Sequence, residues 1–311
     1  MVAYFSHPDC GRHDTGWRHP EHVGRLRAIA RALRTDVELF TTIDQIEGRH
    51  ATPEELAIVH DPAYIAHVRQ TVERTDGLAR LDADTVVSPG SWDAATAAAG
   101  CLLDAVDYSL DARAVRSFSA VRPPGHHALH DRAMGFCLFS NIALAARYAR
   151  THHGLDRVLI ADWDVHHGNG TQALVEHDPG IHFVSMHQWP WYPGTGAATD
   201  RGPHSTVWNV PMPAGLPAAA YRDAFLHAVD AATAGFTPQL VLLSAGFDSL
   251  LGDPLGGFTL EIDDVTTLTR ELVARATVWC GGRLISALEG GYAPERTAQA
   301  CIAHLQALRA A

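Results

Sequence analysis

The feature that most constrains this chain is a repeated alternation between short, mostly apolar runs and longer segments with helical spacing. Runs of strand length that are apolar on both faces suit a parallel sheet covered by helices. The alternation therefore predicts an α/β fold with a doubly wound, mostly parallel central sheet. The predicted strands are residues 114–120, 158–161, 181–185, 240–244 and 284–288.

The helical segments carry apolar residues at a period of three to four. Thr52-Pro53-Glu54-Glu55 is a capping box with proline at the first helical position, and we expect it to open a helix toward Val68. No Pro- or Ser-rich linker, repeat or charge run divides the chain, so we expect one domain over residues 1–311. The other predicted helices begin near Val23 and cover 92–110, 141–151, 218–234, 263–277 and 297–310.

Composition limits the functional classes. The 311 residues are 47% hydrophobic and 19% charged, which excludes a disordered or fibrous chain. The net charge of −11 argues against general nucleic-acid binding and favours a cationic substrate or partner. The five widely spaced cysteines predict buried reduced thiols. With a polar N-terminus and no stretch long enough to span a bilayer, we expect a cytoplasmic protein with no membrane contact.

Four of the predicted strands lead directly into segments rich in polar residues and glycine. Because ligands of open α/β sheets bind at the carboxyl ends of the strands, these four segments are expected to form one site. They are residues 122–127, 162–170, 245–248 and 289–292.

One of these segments suggests a metal site. Asp162, Asp164 and His166 are spaced two apart, so in an extended chain they point to one side. With Asp248 from another strand end, an Asp-His-Asp set with an open position is compatible with catalytic zinc. The alternative is that Asp164 and His166 only cap a helix starting near Asn169.

The adjacent His126 and His127 follow a Pro-Gly turn, where a pair of core histidines is uncommon. One can act as general base on a metal-activated water while the other is its electrostatic partner. Asp162 and Asn169 are candidates to orient them. Tyr292, after two glycines, can donate a hydrogen bond to a developing oxyanion, although a core tyrosine is the simpler interpretation.

Five motifs, taken in order along the chain, resemble the zinc-dependent histone deacetylase family. The closest similarity is to the class II-like branch that includes bacterial histone deacetylase-like amidohydrolases and acetylpolyamine amidohydrolases. The resemblance implies the arginase–deacetylase fold, a single domain with a central, mostly parallel sheet of about eight strands flanked by helices. The motifs are residues 122–128, 135–137, 162–171, 244–248 and 288–292.

The resemblance also implies a role for each matched position. Asp164, His166 and Asp248 would bind one catalytic zinc ion. The general base and later acid would be His127, with His126 beside it as an electrostatic partner. The remaining implied roles are orientation of His126 by Asp162 and of His127 by Asn169, and polarisation of the acyl carbonyl by Tyr292.

Further positions are implied to bind substrate and potassium. Phe136 and Tyr192 would line a narrow tunnel for the acyl chain, with Gly135, Gly290 and Leu255 also binding substrate. Arg25 would line an inner acetate channel. A structural potassium ion would use main-chain oxygens of Asp162, Asp164, His166 and Met186 and the hydroxyl of Ser185.

Two substrates compete within the family. Polyamine deacetylases carry an acidic residue after an Asp-Pro pair, whereas here Asp253-Pro254 precedes Leu255. We therefore predict hydrolysis of acyl-lysine in peptides or proteins, with N-acetylated polyamines as the alternative. The sequence leaves the oligomeric state open.

Two other classes of protein share this fold type and fit the sequence less well. A two-metal ureohydrolase of the arginase type would need Asp-x-Asp where this chain has Asp248-Ser249-Leu250. A non-catalytic module that shares the fold would usually have lost a ligand, the base or the tyrosine, and all are present.

Overall fold

A computed structural model describes residues 2–111 and 113–310. Eight strands form one sheet in which every neighbouring pair is parallel, and two short strands pair antiparallel outside it. The strands are β1 Val2–Ser6, β2 Asp44–Glu47, β3 Ala79–Arg80, β4 Val86–Val87, β5 Arg116–Ser119, β6 Val158–Asp162, β7 Ile181–Gln188, β8 Val207–Met212, β9 Leu240–Ala245 and β10 Leu284–Leu288. The order in the large sheet is β2-β1-β5-β10-β9-β6-β7-β8.

Helices cover both faces of this sheet, which confirms the predicted α/β fold. They are α1 Gly24–Thr35, α2 Val37–Thr42, α3 Pro53–Leu56, α4 Pro62–Arg74, α5 Ser91–Leu110, α6 Asn141–Thr151, α7 Asn169–Val175, α8 Ala218–Thr233, α9 Ile262–Cys280 and α10 Pro294–Arg309, with a 3₁₀ helix at Pro8–Arg12. Within the described part of the chain, none of these helices has both the length and the apolar character that a bilayer crossing requires.

The core consists of two apolar layers, one on each face of the sheet. Side chains alternate along each buried strand, so Ile160 of β6 packs into one layer and Leu159 and Ala161 into the other. Helices α3 to α7 cover the first layer, and α1, α2 and α8 to α10 cover the second. The five cysteines are all buried with free thiols, as predicted.

All five predicted strands are present, as β5, β6, β7, β9 and β10. Three strands of the large sheet were not predicted, and two of them are edge strands. In β2 alternate residues are exposed, and β8 contains Pro211, which an edge strand tolerates because it has a free side. Both depart from the continuous apolar pattern of a buried strand.

The single helix predicted from Thr52 toward Val68 is wrong. The capping box forms, with the hydroxyl of Thr52 accepting the Glu55 N–H at 3.2 Å, but α3 ends at Leu56. A new helix begins at Pro62, whose ring disfavours helical backbone at the preceding residue. Asp61 is accordingly extended, and its carboxylate caps α4 by accepting the N–H of Ala63 at 2.7 Å.

The sheet order places β5, β10, β9, β6 and β7 side by side at its centre. The four polar segments identified in the sequence follow β5, β6, β9 and β10. Their residues therefore meet at one edge of the sheet.

Candidate active site

Three side chains from two of these segments form a buried cluster. Asp164 and His166 follow β6, and Asp248 follows β9. One ligand atom from each lies within 4.8 Å of the others. The Nδ1 atom of His166 is 2.9 Å from Oδ1 of Asp164 and 3.3 Å from Oδ2 of Asp248. Strand β6 ends at Asp162, so Asp164 and His166 lie in the loop that follows it. Asp162 is not part of the cluster.

The electrostatics of the cluster suit a bound cation. Oδ2 of Asp248 is buried and has no hydrogen-bond partner, although Oδ1 accepts the Val165 N–H at 2.9 Å. Burial, and then the charge of Asp164, raise the pKa of Asp248. Burial alone would lower the pKa of His166, but its hydrogen bond to Asp164 and the nearby carboxylate charge of Asp248 raise it to about 9. Two carboxylates and an imidazole nitrogen are a donor set that fits zinc.

Close backbone approach shapes the cluster at Gly290. Its N–H donates to Oδ2 of Asp164 at 2.8 Å. A Cβ at this position would lie 1.9 Å from Oδ2 of Asp248, so only glycine fits. The structure places Gly290 against the two carboxylates, and substrate binding by Gly290 stays a prediction.

His126 carries a positive charge beside the cluster. Its Nδ1 lies 3.1 Å from Oδ2 of Asp162, and its Nε2 lies 3.8 Å from Oδ1 of Asp164. Burial acts to lower the pKa of His126, but the two carboxylates outweigh it and raise the pKa to about 10. His126 is therefore an imidazolium at neutral pH.

His127 is held in the opposite protonation state. Burial, and then the neighbouring His126 and His166, lower its pKa well below the usual value. Its Nδ1 is 2.7 Å from Oδ1 of Asn169, an amide oxygen that can only accept. The ring proton therefore sits on Nδ1, and Nε2 is the free basic nitrogen.

Tyr292 is buried with its ring 5.9 Å from that of Phe136. Its main-chain N–H donates to Oδ2 of Asp253 at 2.6 Å. Burial, and then the charge of Asp248, raise the pKa of its hydroxyl well above the usual value. The hydroxyl therefore stays protonated and available as a hydrogen-bond donor.

A cavity of about 210 Å³ leads to these groups. The ring of Tyr192 lies near the two histidines. Its centroid is 5.1 Å from the ring centroid of His127 and 6.0 Å from that of His166. Gly135 is in the left-handed region (φ +57°), and a Cβ there would clash with the ring of His127. The lining residues are Asp84, His127, Gly135, Phe136, His166, Trp191, Tyr192, Leu255 and Tyr292.

Leu255 lines this cavity, and its predicted role in substrate binding stays a prediction. Its main-chain oxygen accepts the indole N–H of Trp191 at 2.8 Å. Its N–H donates to Oδ1 of Asp253 at 2.9 Å, so one carboxylate supports both Leu255 and Tyr292.

Two functional candidates were not predicted from the sequence. Asp84 lines the cavity, and its Oδ1 accepts the N–H of Gly135 at 3.1 Å. The carboxylate of Glu289 is buried and accepts the main-chain N–H groups of Gly125 and His126 at 2.7 and 3.1 Å. The position of Glu289 immediately before Gly290 was the available signal, whereas Asp84 lies in a loop without a motif.

Three of the predicted potassium ligands lie on neighbouring strands, and the other two, Asp164 and His166, lie in the loop after β6. Asp162 of β6 is directly opposite Ser185 of β7 in the sheet register, and Met186 follows on β7. The hydroxyl of Ser185 is 3.1 Å from Nδ1 of His187. Potassium binding stays a prediction.

Arg25 lies behind Tyr292, with its guanidinium 5.0 Å from the ring centroid. It is fully buried, and it donates to Glu21 at 3.0 Å and to the main-chain oxygen of Gly291 at 2.6 Å. Glu21 also pairs with the buried Arg122. This network supports the segment that carries Tyr292, and the predicted acetate channel at Arg25 stays a prediction.

Comparison with known proteins agrees with this geometry. The family model described as histone deacetylase domain matches residues 19–308. The crystal structure of the HDA15 HD domain superposes with a TM-score of 0.92 at 35% identity, covering 99% of this chain and 88% of that one. The chain therefore belongs to the histone deacetylase family, which confirms the resemblance and the arginase–deacetylase fold.

Two relatives show the range of the family. An uncharacterized protein of Synechocystis sp. is 42% identical over 298 residues, 94% of each chain. Human polyamine deacetylase HDAC10 is 38% identical over 278 residues, which are 85% of this chain and 41% of that protein.

Proposed function

We propose that this chain is a zinc-dependent amidohydrolase that removes acetyl or other acyl groups from the ε-amine of lysine in peptides or proteins. The proposal rests on one cavity whose lining includes His127, Tyr292 and His166, the last of which is a proposed zinc ligand. A base, an oxyanion donor and a metal ligand at one cavity end are the parts that amide hydrolysis needs.

Asp164, His166 and Asp248 would hold the zinc ion, in keeping with the zinc dependence of the family. When bound, zinc polarises the acyl carbonyl and lowers the pKa of a water molecule toward neutrality. The unpartnered Oδ2 of Asp248 and the clustered donors support this assignment.

His127 would move the proton. Its Nε2 accepts a proton from the attacking water, and the same nitrogen then donates it to the leaving amine. Asn169 keeps Nδ1 protonated throughout, because its oxygen only accepts. The imidazolium of His126, paired with Asp162, stabilises the negative charge that develops nearby.

Tyr292 would stabilise the oxyanion. Its hydroxyl remains protonated in the buried site and can donate to the acyl oxygen as negative charge develops there. Phe136 and Tyr192 would flank the aliphatic part of the substrate between the mouth and the cluster.

The mouth of the cavity, the outer end that carries the exposed Trp191 and Tyr192 and the neighbouring Leu255, supports acyl-lysine as the substrate over acetylpolyamine. Leu255 contributes an apolar side chain where a polyamine enzyme of the family carries an acid, so no carboxylate at this position would attract a second ammonium group. Acetylpolyamine is retained as the alternative because a relative is named a polyamine deacetylase and because Asp84 brings one carboxylate to the lining.

Competition between an acetyl-lysine peptide and N-acetylputrescine tests the proposal. We expect acetate release from the peptide at the higher kcat/KM. Leu255→Glu is expected to shift the ratio roughly tenfold toward the polyamine. Leu255→Gln is the matched control, because glutamine has the shape of glutamate without its charge. It is expected to leave the ratio of the two kcat/KM values nearly unchanged. A wild-type preference for the polyamine would reverse the substrate assignment and leave the reaction type intact.

A further inference from the structure

A second cluster of ligand atoms lies outside the catalytic cavity. His7 follows β1 and Asp9 lies in the adjoining 3₁₀ helix, while His50 comes from the segment after β2. One ligand atom from each lies within 4.8 Å of the others, and the two imidazole rings are 4.6 Å apart. None of the three lines the catalytic cavity.

The tautomer of the His50 ring follows from its hydrogen-bond partner. The hydroxyl of Thr96 donates to main-chain oxygens of its own helix, at 3.0 Å to Trp92 and 3.1 Å to Asp93. Its oxygen is therefore the acceptor for Nδ1 of His50 at 2.8 Å. In the neutral ring, Nε2 then carries a lone pair, and it lies 3.2 Å from Oδ2 of Asp9.

His7 is arranged in the same sense. Its Nδ1 accepts the main-chain N–H of Asp9 at 3.1 Å, so this nitrogen is unprotonated. Its Nε2 faces Oε1 of Glu47 at 3.9 Å and carries the ring proton. The lone pair of Nδ1 is 3.7 Å from Oδ2 of Asp9, the same oxygen that His50 faces.

Asp9 divides its two oxygens between different partners. Oδ1 accepts a hydrogen bond from Arg12 at 3.2 Å, while Oδ2 faces both imidazoles. Two nitrogen lone pairs and a carboxylate oxygen repel one another unless a cation lies between them. A proton on His50 would be one such cation, and a metal ion would be the other.

We propose that His7 Nδ1, Asp9 Oδ2 and His50 Nε2 bind a second zinc ion. Imidazole and carboxylate ligands suit zinc, and the exposure of the His50 side chain, 40%, leaves room for water as a fourth ligand. Thr96, hydrogen-bonded to the far nitrogen of His50, supplies the outer partner that commonly orients a metal-binding histidine, and Glu47 lies 3.9 Å from the far nitrogen of His7.

Binding would replace one hydrogen bond, that from the Asp9 N–H to His7. This N–H lies in the first turn of a 3₁₀ helix, where amides without intrahelical partners can bond to water. The ion would join the segment after β1 to the segment before α3, and it would raise the unfolding temperature by mass action.

Zinc stoichiometry tests this site independently of the catalytic one. Wild-type protein titrated with Zn²⁺ alone, followed by calorimetry and elemental analysis, is expected to bind two equivalents. His50→Ala and Asp248→Ala are each expected to bind one, and the double variant none. His177→Ala removes another exposed histidine (79%) and, as the matched control, is expected to keep two.

Thermal unfolding supplies the second measurement. Added zinc is expected to raise the unfolding temperature of Asp248→Ala, in which only the second site remains, and not that of the double variant. His50→Ala is expected to retain wild-type turnover of an acetyl-lysine peptide, which shows that it is folded. If the wild type binds only one equivalent of zinc and His50→Ala still binds that equivalent, the second site is overturned. The contact would then be an ion pair between His50 and Asp9. If His50→Ala loses zinc while Asp248→Ala keeps the wild-type zinc content, the assignment of Asp248 as a catalytic zinc ligand is contradicted instead.

Discussion

The two ends of the catalytic cavity differ in how their side chains are held. At its floor, the cavity is lined by His166 and backed by Asp164 and Asp248, which are fully buried and receive main-chain N–H groups from neighbouring loops. At its mouth, Trp191 and Tyr192 are 45% and 37% exposed. Buried, multiply bonded groups keep one geometry, whereas exposed aromatic groups can reorient. The difference suggests that the floor determines the reaction and the mouth determines which substrate enters.

The largest effect is expected from the floor, in Asp248→Ala. Removing one of three proposed ligands should release zinc and lower kcat/KM by about 10³-fold or more, because water loses the activation that the metal provides. Elemental analysis for zinc and turnover of an acetyl-lysine peptide measure both effects. An unchanged zinc content of two equivalents in Asp248→Ala, the same as in the wild type, would contradict the ligand assignment.

Asp248→Asn is the control for folding in this experiment. An amide oxygen can still accept the Val165 N–H, now bound at 2.9 Å, so the loop should keep its conformation. The variant loses the carboxylate charge, and we expect weakened zinc binding with an unfolding temperature close to that of the wild type without metal.

Tyr292→Phe separates oxyanion stabilisation from metal binding at the floor. Loss of one donor to a developing oxyanion typically costs about 10²–10³-fold in kcat. Zinc content should stay at the wild-type value, because the proposed zinc ligands are Asp164, His166 and Asp248. Unchanged turnover would show that Tyr292 is only a core tyrosine.

The floor was largely predictable from the sequence because its residues follow buried strands. Asp164, His166, Asp248 and Tyr292 follow β6, β9 and β10, and parallel strands bring their carboxyl ends to one edge. Period-two spacing alone was misleading, since β6 ends at Asp162 and the next ligands lie in a loop. The resemblance to known deacetylases, rather than the spacing, separated Asp162 from the zinc ligands.

The mouth was less predictable because loops without periodicity bring its residues together. Tyr192 and Leu255 were identified only through the family resemblance. Asp84 was missed, since its place beside Gly135 depends on the packing of a loop between the short strands β3 and β4. The break between α3 and α4 was also missed. The capping box at Thr52 begins α3 as predicted, but Pro62 begins a separate helix.

A smaller effect at the floor is expected from Asn169→Asp. In the wild type the pKa of His127 is lowered, so the neutral base persists below pH 6.5 and the acidic limb of kcat/KM lies there. A carboxylate on Nδ1 would favour the imidazolium and raise that pKa, so the acidic limb of kcat/KM would move to higher pH. Near pH 9 the variant should approach the wild type. A pH profile with an unmoved acidic limb would contradict this role for Asn169.

The smallest effect is expected at the mouth, from Trp191→Phe. The variant keeps an aromatic ring but loses the indole N–H that donates to the Leu255 oxygen at 2.8 Å. A partly exposed hydrogen bond of this kind contributes about 1 kcal/mol, so KM for an acetyl-lysine peptide should rise a few-fold while kcat stays unchanged. Trp189→Phe is the matched control, because Trp189 is also exposed but is not among the residues that line the cavity. A large loss of kcat in Trp191→Phe would mean that the mouth also positions the reacting atoms, and the division between floor and mouth would then be wrong.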